Sequence, residues 1–216
     1  MHCIVTAGPT HEPLDEVRHL TNFSTGRLGI ELGNFLSARR HRVTLLAGAQ
    51  ATYRGERRAE HVEIFSTTAD LRARLQALAA GGADAIFHAA AVSDFAFGDV
   101  FDPAAPGKLA PIKGRKKITS RGGKLLVELL PTPKILRELR GWFPAARIAG
   151  WKFEADGGRA DAIAAARRQL AECSTDLCVV NGPAYSEGFG LIGVNGPPVH
   201  LADAPALFET LEKMIP

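Results

Sequence analysis

Short apolar, β-branched runs recur along this chain with helix-like spacing between them, and that alternation constrains the fold more than any other feature. The runs are "CIVTAG" from Cys3, "RVTLLAG" from Arg42, "HVEIFS" from His61, "AIFHAAA" from Ala85, "ARIAGWKF" from Ala146 and "DLCVVNG" from Asp176. Apolar residues at helical spacing lie within residues 21–36, 68–80 and 159–173. Strand, helix and parallel strand in succession make a sheet covered on both faces, so the expected class is α/β, doubly wound, with a mainly parallel sheet running to the end of the chain. One domain spanning 1–216 is expected from the length. Residues at about 96–130 break the rhythm with Pro, Gly and Lys. There "KKITS" and "KLLVELL", around Arg121, Gly122 and Gly123, read as a β-hairpin and flap insertion.

Composition narrows the function classes. A hydrophobic content of 46% supports a full core, and a net charge of +3 with mixed signs does not call for nucleic acid. The chain lacks an apolar run of bilayer length and a secretory segment, so a cytoplasmic protein without a membrane partner is expected. Cys3, Cys173 and Cys178 lack metal spacing and read as buried thiols.

In an open α/β sheet ligands sit beyond the carboxyl ends of the strands, which places "TAGPTHEP", "HAAAVSDF", "GWKFEA" and "VVNGPAYSEGFG" on one rim. The stretch "TNFSTGRLGIELGNFL" from Thr21 puts Leu28, Leu32, Phe35 and Leu36 on one helical face, with Arg39 and Arg40 in the last turn. At its start Ser24 or Thr25 can cap free N–H groups, while Gly26 and Gly29 admit a close backbone or ligand, so an ordinary capped helix and an anion site both stand open. A dinucleotide fingerprint and a ribose-binding acid are missing, which disfavours a nicotinamide enzyme. Lys108, Lys113, Arg115, Lys116 and Lys117 form either a solvated face or a flap over a polyphosphate. Asp94 either caps a turn or helps hold Mg²⁺, directly or through water. His88 reads as a core histidine, His11 and His19 as better candidates for substrate contact, and Trp151 as core that can also wall a base.

Four blocks in order, "TAGPTHEPLDEVRHLTNFSTGRLG", "AAVSDF", "KITSRGGKLLVELLPTPKIL" and "DLCVVNG", resemble the phosphopantothenoylcysteine synthetase (phosphopantothenate–cysteine ligase) family over nearly the whole chain. The resemblance implies a Rossmann-like sheet, a homodimer whose partner completes each site, and a ligase of coenzyme A biosynthesis. In that reaction a nucleoside triphosphate activates 4′-phosphopantothenate as an acyl nucleotidylate, and L-cysteine then displaces the nucleotide. Because the sequence opens directly on the synthetase-like region, the phosphopantothenoylcysteine decarboxylase of the pathway is expected as a separate protein.

Carried over by motif, the resemblance implies Asn22 and Lys117 as catalytic, with Asn22 on the activated carboxyl group and Lys117 on the triphosphate. Arg18, Gly26, Ala90 and Ala91 fall to the substrate. Gly8, Ala90, Asp94, Lys117, Pro133, Lys134, Ile135, Leu136, Trp151 and Lys152 fall to the nucleotide, and Asn181 matches a strand-end asparagine. The co-substrate is CTP or ATP with Mg²⁺. "ITS" after Lys117, and Lys152 with Phe153, depart from the common bacterial pattern and make ATP as plausible as CTP. Gln169 and Cys173 stand where the bacterial family often has lysines. The competing readings are a short-chain-dehydrogenase-like NAD(P) oxidoreductase, which lacks its Tyr-x-x-x-Lys pair here, and a non-catalytic nucleotide-binding regulator of the same fold.

Overall fold

The computed structural model describes residues 1–105, 108–112, 117–119 and 123–216. Strands and helices follow in the order β1 (His2–Pro9), β2 (His11–Pro13), β3 (His19–Thr21), α1 (Arg27–Ala38), β4 (Arg42–Gly48), β5 (His61–Phe65), α2 (Thr68–Leu78), β6 (Ala85–Ala91), β7 (Phe95–Ala105) and β8 (Lys108–Pro111). The remainder are β9 (Leu126–Pro131), α3 (Ile135–Trp142), β10 (Arg147–Phe153), α4 (Arg159–Cys173), β11 (Leu177–Asn181), β12 (Phe189–Gly193), β13 (Val199–Leu201) and α5 (Ala204–Glu212).

The main sheet has the order β13-β12-β11-β10-β6-β1-β4-β5. Its six parallel strands, taken alone, run 3-2-1-4-5-6 in chain order, with the direction of winding reversing between β1 and β6. Side-chain parity divides the two faces. Val5, Ala7, Phe87, Ala149 and Val179 pack with α1 and α5, whereas Ile4, Ile86 and Ile148 pack with α2 and α3. Cys178 and Val180, on that second face, meet α4 through Ala166 and Leu170.

Two expectations change. The sheet does not stay parallel to its end, because β12 runs antiparallel to β11 and β13 antiparallel to β12. Residues 182–188 are too short to carry a crossover back to the starting edge, which takes a dozen residues or more. The hairpin around Arg121, Gly122 and Gly123 is also replaced. Residues 117–119 are not a strand, and β9 pairs instead with β7 in a three-stranded antiparallel sheet ordered β8-β7-β9. The aromatic alternation of "FAFGDVF" supplies the pleated partner that the lysine-rich segment cannot. Lys113, Arg115 and Lys116, with Arg121 and Gly122, lie outside the described residues.

The start of α1 is also set differently. Its N-cap is Gly26 in the left-handed region (φ 78°), with no side-chain cap, and Thr25 Oγ1 accepts from Arg27 N–H at 3.2 Å. Arg39 is the C-cap residue and Arg40 lies beyond it, so neither sits in the last turn. Gly29 explains the tight seat of the helix, since a Cβ there would lie 2.7 Å from Ala7 Cβ and 2.9 Å from Thr6 O. The close backbone that these glycines admit is β1.

Candidate active site

A cavity of about 950 Å³ opens at the carboxyl ends of β6 and β10, beside the point where winding reverses. It gathers Asn22, Gly26, Ala90, Ala91, Asp94, Pro133, Lys134, Ile135, Leu136, Trp151, Lys152 and Asn181 from sequence-distant segments. Parity gives it two lobes. On the α1 side lie residues 22–29 and Trp151, which packs into the core of that face; on the α3 and α4 side lie His88, Ala90, Leu136 and Gln169.

Asn22 is fixed by donating its side-chain N–H to Ala91 O at 3.1 Å. That contact identifies the amino end of the amide, and leaves the second N–H and the carbonyl oxygen for other partners. Asp94 pairs with Lys134 across the mouth, and its carboxylate is 69% exposed. One exposed carboxylate suits Mg²⁺ carried in on phosphates, which keeps most of its water and takes one or two protein ligands. Among the described residues no group of three acidic, His or Cys side chains forms a metal cage.

The lining cations separate by partner. Arg27 bonds Glu31 at 2.8 Å, Arg137 bonds Glu172 at 2.5 Å, Lys152 bonds Glu154 at 3.1 Å, and Lys134 bonds Asp94. Arg168 on α4 lines the same cavity with no acceptor among the described residues. It meets an anion without first giving up a carboxylate. No local spacing marks Arg168 in the sequence, although it sits beside Gln169 on the same helix.

Gly8, Arg18 and Lys117 do not reach the lining. Gly8 lies beneath the start of α1, with its Cα 3.2 Å from where a Gly26 Cβ would stand. Arg18 bonds Asp15, and its Nη2 also donates to Ile118 O at 2.8 Å. Asp15 in turn accepts from Ile118 N–H at 3.1 Å, so both polar groups of the Ile118 backbone are held, next to Lys117. The Arg18 guanidinium holds the Asp15 carboxyl well below the usual range, helped by N–H groups of Ile118, Val17 and Arg18 itself.

Two of these three histidines fall otherwise than expected. His11 and His19 face each other in the β2–β3 hairpin, ring centroids 5.1 Å apart, away from the cavity lining. His88 is only 5% exposed yet lines the cavity. Burial pushes its imidazole down to about 4. The unfolded chain therefore takes up a proton near pH 6.5 that the folded chain refuses until about pH 4, and stability falls as pH drops through that window. Urea denaturation at pH 7.5 and 4.5 is expected to cost wild type up to about 3 kcal/mol more than His88→Leu, which lacks the titrating ring.

A family model described as the DNA/pantothenate metabolism flavoprotein C-terminal domain matches residues 1–193. The chain belongs to this family. It is 32% identical over 190 residues to the coenzyme A biosynthesis bifunctional protein CoaBC of Bacillus subtilis, covering 88% of this chain and 42% of that protein. The chain thus spans about two-fifths of the length of such relatives. A solved DNA/pantothenate metabolism flavoprotein from Streptococcus pneumoniae superposes with TM-score 0.85 at 24% identity, covering 100% of this chain and 98% of that one. A Cab2 mutant in complex with phosphopantothenate-cysteine superposes with TM-score 0.72 at 21% identity, covering 99% and 84%. These likenesses establish the Rossmann-like α/β fold of this family member. No helix among the described residues is long and apolar enough to cross a membrane.

Proposed function

We propose that this chain is a phosphopantothenate–cysteine ligase. A carboxylate oxygen of 4′-phosphopantothenate attacks the α-phosphorus of CTP or ATP, the bond to the β-phosphate breaks, and pyrophosphate leaves. The amine of L-cysteine then attacks the acyl carbon, loses a proton, and expels the nucleoside monophosphate. The observation that carries the reading is the two-lobed cavity. Its α1 lobe offers the Asn22 amide and a helix start, and its α3–α4 lobe offers a flat apolar slot with cations at the rim. Two substrates in the two lobes meet over Ala90 and Ala91, whose small side chains leave room for the reacting groups. Asp94 would be the protein ligand of a Mg²⁺ ion carried on the nucleotide, which would supply charge shielding to the phosphates. Family membership and the names of the relatives support the same chemistry.

The test is a coupled assay for pyrophosphate and amide formation with all four nucleoside triphosphates. The ligase reading requires both products, each dependent on phosphopantothenate and cysteine. An oxidoreductase would instead consume NADPH, and a regulator would bind nucleotide without turnover. Arg168→Gln is expected to weaken triphosphate binding about tenfold, the loss of one charge-assisted hydrogen bond, while leaving monophosphate binding unchanged by calorimetry. Arg167→Gln, on the flank that lines a separate small cavity, is the control.

The ligase acts as a homodimer in this proposal. The three-stranded sheet leaves Phe95, Leu126, Leu129 and Leu130 between 43% and 48% exposed, and Leu109 55% exposed. A second copy packed across this sheet would cover apolar side chains on both of its faces, Phe95 and Leu129 on one and Leu130 on the other. Sedimentation equilibrium is expected to give a dimer, and Leu129→Lys to shift it toward monomer by placing a charge in the contact. The amide product still carries the cysteine carboxylate, the group a following decarboxylation would remove.

A further inference from the structure

His88 and Gln169 both line the α3–α4 lobe. The two are linked by Gly150, which pairs in register with His88; a Cβ on Gly150 would lie 2.8 Å from Leu136 and 2.9 Å from Gln169 Nε2. The missing side chain is what lets Leu136 and Gln169 seat against the strand beside His88. His88 Nδ1 lies 3.0 Å from Thr6 Oγ1, and that oxygen already accepts from Ala90 N–H at 3.1 Å. The tautomer in which Thr6 Oγ1–H donates to Nδ1 carries the ring hydrogen on Nε2, which has no partner among the described residues. Gln169 is held in the opposite sense. Its Nε2 donates to Trp151 O and to Cys178 Sγ, both at 3.2 Å, which spends its two N–H groups and leaves Oε1 as a free acceptor among the described residues.

We infer that His88 and Gln169 form a donor–acceptor pair that reads the nucleobase and selects cytosine and adenine against uracil and guanine. The inference rests on the nucleotide half of the ligase reading. Cytosine and adenine each present a ring-nitrogen acceptor beside an exocyclic amino donor, the complement of Nε2–H and Oε1. With the base held in one register by its ribose and phosphates, uracil and guanine turn a ring N–H to Nε2–H and a carbonyl oxygen to Oε1, which sets donor against donor and acceptor against acceptor. The mismatch strands buried polar groups on both sides, the condition under which hydrogen-bonding sites discriminate most sharply. Ala90 and Leu136 supply apolar walls that suit a flat ring better than a ribose.

The test is calorimetric binding of CTP, ATP, UTP and GTP, each with Mg²⁺, to wild type, His88→Leu, His88→Gln and Gln169→Leu. Wild type is expected to prefer CTP and ATP by about tenfold to a hundredfold, the range of a good two-point base contact. His88→Leu and Gln169→Leu should each flatten the preference, while His88→Gln, which keeps a donor, should retain part of it. Gln169 is partly exposed on a helix, so its variant remains informative if His88→Leu does not fold. Wild-type affinities within twofold of one another overturn the inference, as does equal weakening of all four nucleotides in the variants. Amide formation is followed in parallel. Preference without amide sinks the ligase and leaves the base-reading pair, whereas amide without preference does the reverse.

Discussion

Asn22→Asp is expected to accumulate the acyl nucleotidylate and to form amide about 10²–10³-fold more slowly than wild type, the usual cost of losing one donor to a developing oxyanion. The physical reason is local. The Asn22 amide spends one N–H on Ala91 O and has one left. That second N–H can donate to the acyl oxygen as the cysteine amine adds and negative charge collects there. A carboxylate at the same position has no hydrogen to give. It also places negative charge beside Ala91 O and beside the oxygen it is meant to stabilise. The first half-reaction develops its charge at phosphorus, so it should proceed. Quenched single-turnover reactions with α-labelled nucleotide separate the two halves: the expected trace shows nucleotidylate rising and persisting, and normal amide formation would refute the assignment.

Lys117→Gln is expected to fail one step earlier. An ammonium about 4 Å from a phosphoryl oxygen contributes roughly 4 kcal/mol at an effective dielectric near 20, so its loss lowers nucleotidylate formation by about three decades if it acts in the transition state. Lys117 does not line the cavity of its own chain, and its neighbour Ile118 is clamped by Asp15 and Arg18. In the proposed dimer, a lysine beside that clamp would serve a site in the partner subunit rather than its own. Mixing inactive Lys117→Gln with inactive Asn22→Asp then provides the check. If each site takes its lysine from the other chain, heterodimers contain one site with both residues intact and regain activity. A mixture that stays inactive assigns the lysine to its own chain.

The parallel core was legible because strands buried on both faces read as unbroken apolar runs, as in "AIFHAAA" and "DLCVVNG". The antiparallel edge was not, since "FGLIG" and "VHL" are short and Gly-punctuated. The α3 helix escaped as eight residues with three charges following Pro133 and Lys134. The rim was legible through the rule that ligands lie beyond strand ends, which drew Asn22, Ala90, Asp94 and Trp151 into one place. What sequence reading lacked was parity and partnership. His88 looked like any core histidine until the register with Thr6 and Gly150 fixed its surroundings. Arg18 fell to the substrate by motif, whereas in the structure it donates to Ile118 O, a hundred residues away. Such pairings are set by tertiary packing, and no local spacing encodes them.

In the proposed ligase reaction the cavity brings a carboxylate oxygen of 4′-phosphopantothenate onto the α-phosphorus of the nucleotide. Turnover with 4′-phosphopantothenate labelled with ¹⁸O in the carboxylate, read by mass spectrometry of the products, tests it most directly. The account predicts one ¹⁸O transferred to the nucleoside monophosphate and none to pyrophosphate. Label in inorganic phosphate with release of a nucleoside diphosphate, or product formed with no label in the nucleotide, would contradict it.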